Sequence, residues 1–347
     1  DLGFFDGRLN IGGDFYYKKT TDLFTNVDVS PINGITSYIM NNGDMTNKGF
    51  SISLNGYPVK TKNFRWYMST YYSVNLNKVQ TDDARNYNLN DYLNGTAVVS
   101  GQPISTFYSY KFLGLNPQNG APMFDDWEDR WHLLQGKTLD EVVPMILVNS
   151  GTRDPKFSGD LNNTFTYKNW SLSLNFSYSL GSKVRLFEMY GPIINGISAA
   201  ANVREEFLDR WQVPGDEKYT VYPSIISPSS PDYEHYRLHY SAPQRAVGPN
   251  SGVPAFANNV WQMYDDSDLR VVSGNYLKLQ SLSLSYRLND RLLRKTPFTQ
   301  LSISFNTHNC FTISAKELRG QDPSQAGFAD AGLSIRPSYT IGLNVSF

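Results

Sequence analysis

Apolar and small polar residues alternate with period two through most of this chain. The clearest run sets Trp170, Leu172, Leu174, Phe176, Tyr178 and Leu180 against Ser171, Ser173, Asn175, Ser177 and Ser179. Tyr339, Ile341, Leu343, Val345 and Phe347 alternate in the same way with Ser338, Thr340, Gly342, Asn344 and Ser346. Successive side chains of a strand point to opposite faces, so this spacing predicts strands. Further strands are expected over Leu9–Tyr17, Phe50–Leu54, Phe64–Leu76, Leu161–Tyr167, Leu282–Leu288 and Leu301–Phe305. Two weaker ones, Tyr108–Leu115 and Ala121–Phe124, flank a Pro117-Gln118-Asn119-Gly120 turn. The sum is about ten strands. Helical spacing is confined to one short stretch, Ser198 to Trp211. The expected fold class is all-β.

The connections add a second pattern. Short turns at Tyr167-Lys168-Asn169, Asn55–Asn63, Asn116–Gly120 and Asn289–Pro297 alternate with long segments near 20–45, 78–105, 125–156, 185–273 and 312–333. A soluble β-sandwich has no such rule, whereas an outer-membrane barrel keeps short turns on its periplasmic side and long loops outside. The expectation is therefore a transmembrane antiparallel β-barrel, with residues such as Leu174 facing lipid and Ser173 facing a wet lumen. Trp170, Tyr178, Tyr286 and Tyr339 would form interfacial girdles. About ten strands would bring both chain ends to the periplasmic side. A soluble sheet with one solvated face shows the same Ser/Leu alternation and is the competing reading.

Composition narrows the classes. The chain has 347 residues, 40% hydrophobic, 14% aromatic and 18% charged, with a net charge of -1. That balance lacks the basic footprint of a nucleic-acid binder, and so many rings exclude a disordered chain. A lone cysteine, Cys310, excludes an internal disulfide framework and a thiolate zinc site. The longest apolar run, Val142 to Val148, is interrupted by Pro144 and falls far short of the roughly 20 residues of a spanning helix. The chain opens without Met or a leader pattern and closes on Phe347, at the end of an alternating strand. The expectation is a processed or C-terminal piece of a longer protein.

A set of ordered fragments resembles a known family. They are Phe4-Phe5-Asp6-Gly7-Arg8-Leu9, Asp14-Phe15-Tyr16-Tyr17-Lys18-Lys19-Thr20-Thr21-Asp22-Leu23, and Asn41-Asn42-Gly43-Asp44-Met45-Thr46-Asn47-Lys48-Gly49-Phe50. The last is similar to an N-x-G-x-M-x-N-K-G run, without the acidic residue that often follows its final Gly. Later come Phe107-Tyr108-Ser109-Tyr110 with Gly114-Leu115-Asn116-Pro117, then Asp154-Pro155-Lys156-Phe157. Arg210-Trp211 with Pro214-Gly215 and Gly274-Asn275-Tyr276-Leu277-Lys278-Leu279 complete the set. In order and spacing these resemble the C-terminal part of a SusC/RagA-family TonB-dependent outer-membrane transporter of the Bacteroidetes.

The resemblance implies a plugged barrel of about 22 strands, of which this chain would supply the C-terminal wall and extracellular loops across residues 1–347. It implies partners: the upstream plug and remaining strands, TonB acting through that plug, a SusD-like surface lipoprotein, and outer-membrane lipid. It implies uptake of an oligosaccharide or peptide ligand, and it makes Phe347 an assembly signal by analogy with outer-membrane proteins. The alternative is a soluble all-β surface module that binds glycan through Tyr- and Trp-rich loops.

No catalytic constellation is present. There is no Gly-x-Ser-x-Gly elbow, and His235 and His239 lack a helical frame and a following Glu. His235 and His239 are read as solvated loop residues, and His308 with Asn306 as part of an inward row. Asp125-Asp126-Trp127-Glu128-Asp129-Arg130-Trp131 has the carboxylate density of a calcium site without EF-hand spacing. A solvated loop paired with Arg is the plainer reading there and at Asp265-Asp266-Ser267-Asp268. Rings of the 185–273 segment are the ligand or partner candidates: Trp211, Tyr219, Tyr222, Tyr233, Tyr236, Trp261 and Tyr264, joined by Trp127 and Trp131. Such rings stack on sugars or give rigid contact area to a partner; packing of the loop on itself would use them equally well.

Overall fold

The computed structural model of the chain describes residues 1–28, 32, 34, 37–41, 43–81, 87–125, 127–134, 136, 137, 139–193, 202–225, 246, 247, 253, 254, 259–294, 296–325 and 336–347. Nine strands form one antiparallel sheet in chain order: β1 (Leu2–Phe4), β2 (Leu9–Thr20), β3 (Asp44–Lys60), β4 (Phe64–Gln80), β5 (Phe157–Tyr167), β6 (Trp170–Leu180), β7 (Tyr276–Arg287), β8 (Gln300–Ser314) and β9 (Ser338–Ser346). The period-two pattern sets the register. Leu172 lies opposite Leu284, which lies opposite Phe305. A single cross-sheet row runs Leu2, Ile11, Leu54, Thr70, Leu161, Phe176, Leu279, Phe311. A slip of one residue would turn any of these strands inside out.

Ring pairs reinforce the ladder. Trp170 and Tyr286 meet at 4.7 Å, and Trp66 stacks on Phe165 at 5.7 Å; such cross-strand pairs contribute about 0.2–1 kcal/mol each. Two in-strand glycines make room for rings. A Cβ on Gly159 would lie 2.0 Å from the Tyr71 carbonyl oxygen and 2.5 Å from the Tyr178 hydroxyl. Gly49 and Tyr16 repeat the arrangement, with the Tyr16 hydroxyl donating to Asn75 Oδ1 at 2.9 Å.

The apolar face is not covered. Ile341 is 76% exposed and Phe15 79% exposed, although their opposite faces carry Ser, Asn and Thr as expected. Among the described residues the sheet is also open: β1 bonds only to β2, and β9 only to β8. A barrel requires its first and last strands to pair, and no sheet of the described residues closes on itself, so the expectation that this chain forms about ten strands of a larger transmembrane barrel is corrected to an open all-β sheet. The expected role as wall and loops of an importing transporter, and the expected placement as a multi-pass outer-membrane barrel, are withdrawn with it. Among the described residues no helix is long and apolar enough to cross a membrane.

Connections do alternate strictly, short at 5–8, 61–63, 168–169 and 288–299, long at 21–43, 81–156, 181–275 and 315–337. Nine strands rather than ten give odd parity, so the chain enters the sheet at the long-connection end and leaves at the other. The two weaker strand predictions fall outside the sheet. Thr106–Tyr110 pairs with Leu147–Thr152, and Phe112–Leu115 with Pro122–Phe124.

These strands belong to a second unit made by the 81–156 and 181–275 connections. Helix α1 (Leu89–Asn94) begins with a capping box, in which Asn88 Oδ1 accepts from the Asp91 amide and Asp91 accepts from the Asn88 amide. Gly95 ends it in the left-handed region, φ 64°. Helix α2 (Leu139–Ile146) buries Val142, Val143 and Ile146, and α3 (Val260–Asp265) buries Trp261, Met263 and Tyr264. All three pack into one core with Tyr110, Phe124 and Leu134. The Tyr92 hydroxyl donates to Asp140, fastening α1 to α2.

Candidate ligand-binding site

The inserted unit gathers most of the candidate rings, but mainly to its interior. Trp127, Trp211, Trp261 and Tyr264 are buried, at 9%, 7%, 4% and 0% exposure. Trp261 donates through Nε1 to the Ser224 carbonyl oxygen at 3.2 Å. Tyr264 makes an edge contact with Tyr190, ring centres 5.5 Å apart. Tyr222 is half-buried, and Tyr219 stands out at 91% exposure. The backbone of Trp131 lies in a 3-10 turn (Glu128–Leu133). Tyr233 and Tyr236, with His235 and His239, lie outside the described residues. Phe347 is 84% exposed at the chain end, in edge contact with Phe298 at 5.3 Å.

Tyr219 is held by a small closed loop. The Trp211 amide donates to the Tyr222 carbonyl oxygen at 2.9 Å, joining the two ends. Asp216 accepts from the amides of Gln212 and Val213 at 2.9 and 3.0 Å, which holds its carboxyl below the usual carboxylate range. Glu217 accepts from the Gly215 amide at 2.8 Å and from Trp211 Nε1 at 3.3 Å. The loop is seated on the predicted Asn116–Gly120 turn. Gly120 has φ +69°, and a Cβ there would lie 2.4 Å from the Trp211 ring. The Ser224 amide donates to the Gly120 carbonyl oxygen at 2.9 Å, and its hydroxyl to that of Asn119 at 2.6 Å. A ring presented on so many fixed bonds loses little freedom when it meets a ligand.

Part of each acidic cluster is committed to protein partners. Arg130 reaches both carboxylate oxygens of Asp125, at 2.7 and 2.6 Å, and lies 4.3 Å over the Trp127 ring. Asp265–Asp268 is not a solvated loop. Asp265, 3% exposed, accepts from the amides of Met189, Tyr190 and Gly191 at 2.8, 2.8 and 2.9 Å. Asp266 lies 3.6 Å from Arg185, and Asp268 takes Lys111 at 2.8 Å. Among the described residues no group of His, Cys, Asp and Glu could hold a metal ion.

Sequence reasoning missed two features. One is the buried pair Lys278–Asp322, at 3.0 Å with side chains 4% and 8% exposed, which ties the connection before β9 to the polar face of the sheet. A lysine in the serine row of β7 was its only signal. The other is a cavity of about 400 Å³ beside the Tyr219 loop, bounded by Leu186, Tyr222, Tyr264, Arg270, Val272 and residues of the 316–319 turn.

Comparison with known proteins gives this geometry a context. No family model matches the chain. TonB-dependent receptor P3 of Formosa agariphila is 24% identical over all of this chain and 33% of its own length. TonB-dependent receptor SusC of Bacteroides thetaiotaomicron is 28% identical over 56% of the chain and 19% of its own length. The RagAB peptide transporter structure superposes with a TM-score of 0.70 at 21% identity, over 99% of this chain and 34% of the solved one. The chain is a distant homologue of SusC/RagA-type TonB-dependent transporters. It spans about a third of the length of the curated relatives that match it throughout. The relatives that match it are receptors and transporters.

Proposed function

We propose that this chain is a ligand-binding surface module of a TonB-dependent-receptor-like protein, taking glycan on the ring-bearing tip of its inserted unit. The observation that carries the reading is Tyr219, 91% exposed on a loop locked by Asp216, Glu217 and Trp211, with the half-buried Tyr222 and a cavity at its base. A flat ring held in place can stack on the apolar face of a sugar at small entropic cost. Exposed Leu208 and Val213 on the same segment extend the contact area.

The reading includes polypeptide partners. The two free sheet edges and the uncovered apolar face are surfaces that a folded protein does not leave bare, and the matching relatives are about three times longer. The rest of a receptor-like polypeptide is the proposed cover. A SusD-like lipoprotein is the proposed partner on the side of the inserted unit. A peptide ligand is the second reading, favoured by the likeness to the RagAB peptide transporter.

Calorimetry of the full chain against neutral oligosaccharides and short peptides tests the choice. Binding of at least one oligosaccharide, weakened tenfold or more by Tyr219→Ala or Tyr222→Ala, is the expected result. Peptide binding without any oligosaccharide binding would replace the glycan reading with its alternative. Oligosaccharide binding indifferent to both substitutions would remove the site.

A further inference from the structure

The cavity beside Tyr222 has an unusual floor. Tyr264 and Arg270, both lining it, are 0% and 2% exposed. Among the described residues, the Tyr264 hydroxyl and Arg270 Nε have no hydrogen-bond partner. Buried polar atoms in native proteins are nearly always paired, because leaving one unpaired carries its full desolvation cost. Two such atoms on residues lining one cavity are donors without acceptors among the described residues. Other bonds of Arg270 are made: a guanidinium nitrogen donates to the Phe187 carbonyl oxygen at 2.6 Å, and the group lies 5.9 Å from the Tyr264 ring.

Charge points the same way. The mouth carries Lys316 and Arg319 beside Arg270, with Glu317 the lone carboxylate of the lining. Arg319 has a loose contact with Asp209, at 3.8 Å, and that carboxylate is 64% exposed. Asp265 and Glu206 offset part of the Arg270 charge, yet their own oxygens are held by backbone amides and by Arg204. The remaining lining is largely apolar, formed by Leu186, Val221, Leu269 and Val272, with Tyr222. Cationic donors at one end and an apolar wall at the other suit a compact acidic ligand.

We propose that this cavity binds a carboxylate group of the ligand, with Arg270 and Tyr264 as buried donors and Lys316 and Arg319 at the mouth. The assignment rests on the proposal that the unit binds ligand at all and names the class: a uronic-acid residue of a glycan, or the terminal carboxylate of a peptide. Guanidinium pairs with carboxylate more strongly than neutral donors do, and the phenol hydroxyl supplies a second bond of fixed direction.

The test titrates the full chain with glucuronate, glucose and N-acetylalanine, followed by ligand-observed NMR. Glucuronate should bind at least tenfold more tightly than glucose. Lys316→Gln and Arg319→Gln, both at the mouth, should each cut that affinity several-fold. Tyr264→Phe should weaken glucuronate binding while leaving the Tm of the unliganded chain unchanged or higher, since it deletes an unpaired hydroxyl. N-acetylalanine binding in place of glucuronate, with the same dependence on the mouth residues, supports the carboxylate site and assigns it to peptide termini. Equal affinity for glucose and glucuronate, or indifference to the mouth substitutions, overturns the carboxylate site but leaves glycan binding standing. Failure of both acids to bind overturns the site outright, and a lower Tm for Tyr264→Phe removes its premise.

Discussion

The sheet and the inserted unit use the same aromatic-rich composition in opposite ways. In the sheet, rings point outward: Phe15 is 79% and Tyr339 67% exposed, and order comes from a backbone ladder with cross-strand pairs. In the inserted unit rings point inward: Tyr110 is 1% and Tyr264 0% exposed, packed with α2 and α3 into one core. A ladder needs no interior of its own, so the sheet tolerates a bare apolar face within this chain. A unit built of short helices and two-stranded ribbons has no such scaffold and depends on burial. Aromatic content alone therefore says nothing about which rings meet a ligand.

Substitution can sharpen that contrast. Trp261→Ala empties a buried site and leaves the Ser224 carbonyl oxygen without its Nε1 donor, so a loss of about 3–5 kcal/mol is expected in denaturant unfolding. Lys278→Ala strands the buried Asp322 carboxylate, at a cost of about 3 kcal/mol. Hydrogen exchange should then rise over 315–325 while the β4–β5 ladder stays protected. Acid should loosen the same connection. Burial raises the Asp322 carboxyl, but hydrogen bonds from Ser324 and Lys278 outweigh it and leave the group below its ordinary range. Its stabilisation is whole above a pH of about 4 and is lost as pH falls through the lower folded value; exchange over 315–325 that is insensitive to acid would contradict this.

Smaller effects separate the regions further. Gly120→Ala places a Cβ against the Trp211 ring at positive φ, an expected loss of about 2 kcal/mol, read by thermal unfolding and accompanied by freer exchange over 211–222. Leu343→Ala, at a 66% exposed position in the apolar row of β9, should change the stability of the isolated chain by no more than about 0.5 kcal/mol. A large loss there would mean that the face is covered in solution.

What the sequence made legible follows the same division. The alternation located Trp170–Leu180 to the residue, because both faces of that strand have a consistent character. It shortened β3 to Phe50–Leu54, because Asp44 to Gly49 extend the ladder on backbone bonds and a Lys19–Asp44 ion pair at 2.7 Å rather than on apolar alternation. Local patterning says nothing about closure, so the barrel was an extrapolation that the free edges of β1 and β9 overturn. The inserted unit was hidden because its contacts are distant in sequence. Lys111 meets Asp268 across 157 positions, and the Tyr190 amide meets Asp265 across 75. The expected helix near Ser198 to Trp211 is a single 3-10 turn, Glu205–Asp209, with 198–201 outside the described residues. One signal was present and unread: Val260, Trp261, Met263 and Tyr264 have the spacing of a buried helical face, which marks the adjoining aspartates as interior rather than solvated.

Hydrogen exchange of the full chain, with and without the tightest-binding saccharide of the panel, tests ligand binding by the inserted unit most directly. New protection confined to 205–222 and 260–272, with the exchange of β4 through β8 unchanged, is the predicted result. Protection on the strands of the sheet, with Tyr219 and its loop unaffected, would contradict the account and place the ligand on the other region of the molecule.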